Sequence, residues 1–89
     1  MTRVRVRSEG IAWQEVDNDL IVLDERNSLY MRLIGSATLL WPLLVDGVTE
    51  DELAAALVEA FGLDTAQARI DVATFLHGLR AQDLLETAA

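Results

Sequence analysis

Few side chains in this 89-residue chain could do chemistry. His77 is the single histidine, cysteine is absent, and fifteen Asp and Glu residues are scattered along the chain. A catalytic nucleophile needs a base within reach, and no Ser-His-Asp or Cys-His arrangement can be built around His77. No His, Asp or Glu cluster has the spacing that sets metal ligands on one helix face. The carboxylates fall mostly in turns and caps, among them Asp17, Asp19, Asp46, Glu50, Asp51 and Asp64. His77 reads as a residue at the rim of a helix face, or else as a pH-sensitive contact. The expectation is a protein that is not an enzyme and uses no cofactor or metal.

The composition narrows the class further. Hydrophobic residues make up 52% of the chain, too many for a disordered segment, and the length suits one small domain. The lack of cysteine excludes disulfides and thiolate-bound metal and suits a reducing, cytoplasmic setting. The net charge is −8, and all seven cations are arginine. That balance counts against nucleic acid as a partner, because phosphate binding needs a basic face. The apolar run Ala37 to Val45 is too short to span a bilayer and is broken by Thr38 and Pro42. The basic start, with Arg3, Arg5 and Arg7, has no apolar stretch behind it, so it is not a secretory signal. It is expected to be a solvated, frayed terminus.

The front half has the period of strands. Ile11 to Val16 alternates, Asp17-Asn18-Asp19 is a turn cluster, and Leu20 to Leu23 is a continuous apolar run. Arg26-Asn27-Ser28 turns the chain into Leu29-Tyr30-Met31-Arg32-Leu33, where Leu29, Met31 and Leu33 share one face and Tyr30 and Arg32 the other. Three short strands with tight turns predict an antiparallel meander. An uncovered third strand offers unpaired N–H and C=O groups to an extended peptide.

The back half reads as three helices. Ser36 is the expected N-cap of the first, Pro42 predicts a kink or a helix start close by, and Asp46-Gly47 ends it. Thr49 to Glu52 matches a capping box. The second helix runs to Phe61 with Leu53, Leu57 and Phe61 as its buried stripe, and Gly62 stops it. Asp64 to Gln67 is expected to cap the third helix in the same style, and that helix reaches about Gln82. Its core stripe is Ala68, Val72, Phe75, Leu76 and Leu79. Ile70 lies roughly 160° round from Val72 on that helix. It shares its flank with Ala66, Arg69, Ala73 and His77. Helix geometry alone leaves two readings open: an isolated exposed isoleucine, or the wall of a groove.

The order of these pieces resembles the PqqD-like leader-binding domains of ribosomally made, modified peptide pathways, also called RiPP recognition elements. The likeness is carried by Leu23-Asp24, Tyr30 to Leu33, Leu40-Trp41-Pro42-Leu43-Leu44 closed by Asp46-Gly47, and Thr49 with Glu52-Leu53. Asp71-Val72, Phe75-Leu76, Leu79 and Leu84-Leu85 complete it. Departures occur at Leu33-Ile34, Ala37, Pro42 and the extra residue before Asp46-Gly47, and they bear on where the first helix starts. The stand-alone size looks like the discrete leader-binding proteins of lasso-peptide clusters.

The resemblance implies an α+β, winged-helix-like domain over residues 9–86, a three-stranded antiparallel sheet followed by three helices. An N-terminal arm (1–8) and a C-terminal tail (87–89) flank it. It also implies that a precursor's leader peptide adds to the third strand, against Leu29, Tyr30, Met31, Arg32 and Leu33. Arg69, Ile70, Ala73, Thr74 and His77 of the third helix would form the other wall. The partner implied is a leader peptidase, followed by a cyclase in the lasso case. The chain is expected to be a monomer or weak homodimer. Two alternatives stand beside it: a winged-helix DNA-binding regulator, and a homodimeric adaptor that joins through Trp13, Trp41 and Leu84. Trp41 is assigned to the core; Trp13 could lie either way.

Overall fold

The structure, a computed structural model, describes residues 2–88. Its elements run β1 (Arg3–Val6), β2 (Ile11–Val16), β3 (Asp19–Asp24), β4 (Leu29–Leu33), α1 (Ala37–Asp46), α2 (Glu50–Phe61), α3 (Thr65–Ala81) and β5 (Leu85–Ala88). The predicted meander is there: β2, β3 and β4 form an antiparallel sheet in chain order, followed by three helices. Asp17 and Asn18 both take positive φ, 52° and 72°. They close a two-residue hairpin between the paired Val16 and Asp19, where such backbone matches strand twist. In the next turn it is Ser28 that adopts φ 53°. Asn27 instead donates from its side chain to Asp24 Oδ2 at 2.8 Å.

One expectation is overturned at the termini. The basic arm is not frayed: β1 pairs with β5 from Arg3↔Ala88 to Val6↔Leu85. The physical reason is alternation. Val4 and Val6 point inward and are buried, while Arg3 and Arg5 face solvent. Arg3 and Arg5 then meet Glu52 and Glu86. Val4 also exchanges backbone hydrogen bonds with Val48, at 2.8 and 2.9 Å, and thereby staples the ribbon to the α1–α2 connection. Arg7, just past β1, turns inward and donates to Asp24 Oδ1 at 2.6 Å. Asp24 is buried, and its carboxylate also accepts the backbone N–H groups of Arg26 and Asn27. Burial works to raise its pKa. The Asn27 and Arg7 bonds and the Arg7 charge outweigh that and hold it below the ordinary carboxylate value.

The helices form largely as their caps dictate. Thr49 Oγ1 accepts from Glu52 N at 3.1 Å, and Glu52 Oε1 accepts from Thr49 N at 3.1 Å. Gly62 ends α2 at φ 65°. Elsewhere the capping differs from expectation. Ser36 makes no side-chain cap bond; Thr38 Oγ1 donates back to Gly35 O at 2.7 Å instead. Asp64 makes none either, and the Gln67 side chain reaches forward to donate to Asp71 Oδ1 at 2.8 Å, not back to the cap. Pro42 sits inside a continuous α1. The N–H it lacks is the one that would have met the Thr38 carbonyl.

The core gathers Leu20, Val22 and Leu33 from the sheet, Leu40, Trp41 and Leu44 from α1, and Leu53, Ala54 and Leu57 from α2. Ala68, Val72, Leu76 and Leu79 of α3 close it, with Phe75 partly buried beside them. Phe61 is a second correction. It is 53% exposed: the fully buried residues of α2 are Leu53, Ala54 and Leu57, and past Leu57 only Val58 is partly covered. Trp41 and Leu84 are both fully buried, which removes them as the contact residues of a homodimeric adaptor. Trp13 stays 40% exposed.

Candidate functional site

The site proposed from sequence begins at β4. In the order β2-β3-β4, β4 is bonded to β3 on one side only. Its burial alternates as read: Leu29 and Met31 are half-buried and Leu33 is buried, while Tyr30 and Arg32 face out. Arg32 is not free, since its Nε donates to Asp19 Oδ2 at 2.7 Å across the sheet. Tyr30, 67% exposed, is the cross-strand neighbour of Leu23, which in turn faces Ala12. These three continue with Ile21 into a shallow apolar hollow of about 250 Å³ on the sheet's outer surface. The sequence carried the signal for it: a continuous apolar run, Leu20 to Leu23, must place apolar side chains on both faces of a strand.

On α3 the proposed residues separate. Arg69 is drawn to α2, its Nη1 donating to Asp51 Oδ1 at 2.8 Å. Arg80 makes a longer pair with Glu50 on the same flank, at 3.4 Å. Ile70, Ala73 and His77 are all exposed, on the face opposite the buried stripe. Thr74 lies toward the flank that α2 leaves open, next to Asp71 and Phe75, which are half-buried, and Gly78. At the C-terminal end of α3, Asp83 pairs with Arg26 at 3.8 Å. That exposed pair puts the residues just past α3 within reach of the turn that leads into β4.

Charge is largely spoken for. Each of the seven arginines has a carboxylate within salt-bridge distance. A surface of paired guanidinium groups is a poor phosphate binder, because neutralising a backbone needs free cations. Among the described residues, no group of three or more His, Cys, Asp or Glu side chains could hold a metal ion. No helix among them is long and apolar enough to cross a membrane.

What the arrangement can do is offer main-chain donors and acceptors along the edge of β4 that has no strand partner. Comparison with known proteins gives it a context. A family model described as coenzyme PQQ synthesis protein D (PqqD) matches residues 19–85. Among solved structures, the chain is similar to TbiB1 in complex with the TbiA(beta) leader peptide. That likeness has a TM-score of 0.85 at 24% identity and covers 96% of this chain and 98% of that one. It is also similar to a lasso peptide synthetase B1 complexed with the leader peptide, with a TM-score of 0.81 at 24% identity, covering 93% and 96%. No curated protein matches it.

Proposed function

The chain belongs to the PqqD family, and on that premise we propose that it binds the leader segment of a ribosomally made precursor peptide. The leader adds as a strand to the open edge of β4. The backbone of Leu29 to Leu33 supplies the ladder. Thr74, with Ile70, Ala73 and His77 on the adjoining crest of α3, forms the second wall. The observation that carries this reading is the one-sided pairing of β4, in a fold shared with two proteins solved with leader peptides. A strand added there gains main-chain hydrogen bonds, and side-chain pockets supply selectivity.

The mechanism is recruitment. A leader held here raises the concentration of its precursor near a partner enzyme, turning a weak encounter into an effectively intramolecular one. In a lasso-type pathway that partner is a leader peptidase, with a cyclase acting next. The site works in a cytoplasmic setting and leaves the chemistry to the partner.

The test is fluorescence anisotropy with a labelled leader peptide from the precursor gene adjacent to this one. Saturable binding that changes little with added salt supports the reading, because a β-ladder does not depend on counterion release. Failure to bind that leader, together with salt-sensitive binding to duplex DNA, would overturn it.

A further inference from the structure

The three-stranded sheet is open at both ends. In the order β2-β3-β4, β2 is bonded to β3 alone, just as β4 is. Edge strands are commonly blunted by proline, lysine or a bulge. β2 has none of these: Ile11 to Val16 contains no proline or lysine, and its register against Asp19 to Asp24 is unbroken. Every residue from Ala12 to Val16 is exposed, Trp13 and Val16 included.

The ladder shows which groups of β2 are free. Antiparallel pairs alternate between bonded and non-bonded. Glu25 N donates to Gly10 O at 2.8 Å, which makes Gly10 and Glu25 a bonded pair. Counting along the register leaves Ile11, Trp13 and Glu15 at non-bonded positions, their N–H and C=O groups turned away from β3. Ile11 and Trp13 also line a cleft of about 240 Å³ with Val6, Arg7 and Val45. A strand laid on β2 has a partly apolar recess beside it.

Charge indicates the kind of segment that fits. Glu9 and Glu25 lie at one end of β2, Glu15 and Asp17 at the other, and all four are exposed. Among the described residues, none of the four has a cation within salt-bridge distance. The nearby arginines are engaged elsewhere: Arg5 with Glu86, Arg7 with Asp24, Arg26 with Asp83 and Arg32 with Asp19. A second copy is a poor occupant. Antiparallel pairing of two β2 edges sets the Glu9 and Glu25 end of one copy against the Glu15 and Asp17 end of the other, and each copy carries a net charge of −8. A segment with basic residues toward its ends meets complementary charge instead.

We propose that β2 is a second strand-addition edge, taken by an extended segment of the partner enzyme with basic residues toward both ends and an apolar side chain for the cleft. This rests on the recruitment reading above for the existence of that partner. Because β2 and β4 are the two ends of one sheet, a leader on β4 and a partner on β2 can be held at the same time.

The experiment compares three variants with wild type. Glu15→Pro removes an outward N–H without touching the β2–β3 ladder. Glu15→Lys reverses the charge and blunts the edge. Glu59→Lys makes the same charge change on an exposed part of α2. Each is checked by thermal midpoint, by biolayer interferometry against the leader peptidase encoded beside this chain, and by anisotropy with the labelled leader. Both Glu15 variants should lose about tenfold or more in peptidase affinity and bind leader like wild type. Glu59→Lys should match wild type in both assays. Wild-type peptidase affinity in the folded Glu15 variants overturns the inference and leaves leader capture at β4 standing. A wild-type chain that binds leader but not peptidase overturns it together with recruitment, again without touching β4. A dimer in sedimentation that Glu15→Pro abolishes gives the edge to a second copy and overturns it as well.

Discussion

Replacing Leu84 by alanine tests whether the chain ends belong to the core. Leu84 is fully buried and sits where α3 hands over to β5. Its N–H bonds Leu79 O at 3.0 Å, and its carbonyl accepts from Arg7 N at 2.8 Å. A buried Leu→Ala change costs about 2–5 kcal/mol, the upper end where the site cannot collapse. We take about 3 kcal/mol, because β1, β5 and α3 hold this position from several sides. An 89-residue domain is stable by only about 4–13 kcal/mol, so the loss is a large share of the total. With an unfolding entropy of about 0.19 kcal/mol/K for this length, the midpoint should drop by about 16 °C. The assay is thermal melting by circular dichroism, paired with urea unfolding. The urea midpoint should fall while the slope stays constant, since the surface exposed on unfolding is unchanged. Leader affinity, measured well below the melting range, should not move. A drop of less than about 3 °C, the size of an ordinary surface substitution, would refute the argument and return the termini to the periphery.

Other expectations follow from single contacts. Thr49→Ala removes one half of the capping box: the Glu52 backbone N–H loses its acceptor, while the Glu52 side chain keeps the backbone N–H of residue 49. It should cost about 1 kcal/mol of stability by urea titration. Gly62→Ala places a side chain at φ 65° and should cost a similar amount, about 1 kcal/mol, by the same titration. The Asp24 carboxyl has its pKa lowered in the folded state, so the unfolded chain takes up its proton first as the pH falls. Its contribution is complete above the unfolded value of about 3.9 and is lost below it. Unfolding at a series of pH values should show the gap between wild type and Asp24→Asn narrowing toward pH ~3; a constant gap would count against it. Ile70→Asp should fold normally, because Ile70 is 59% exposed, and should weaken leader binding by anisotropy. Unchanged affinity would take the crest of α3 out of the binding wall.

The elements whose cause is local were legible in the chain. The Asp17-Asn18 hairpin, the Thr49–Glu52 box and the stop at Gly62 each depend on a few adjacent residues whose side chains and backbone preferences act within one turn. The alternation of Leu29, Met31 and Leu33 and the buried stripe of α3 were equally readable, because strand and helix periods fix which residues share a face. Tertiary structure decided what depends on a distant partner. Val4 and Val6 become a strand only because Leu85 to Ala88 come back beside them; a four-residue segment has no such preference alone. Arg7 is drawn inward by Asp24, and Arg69 is drawn to α2 by Asp51. Phe61, in register with Leu53 and Leu57, was left outside because no element packs over the end of α2's stripe.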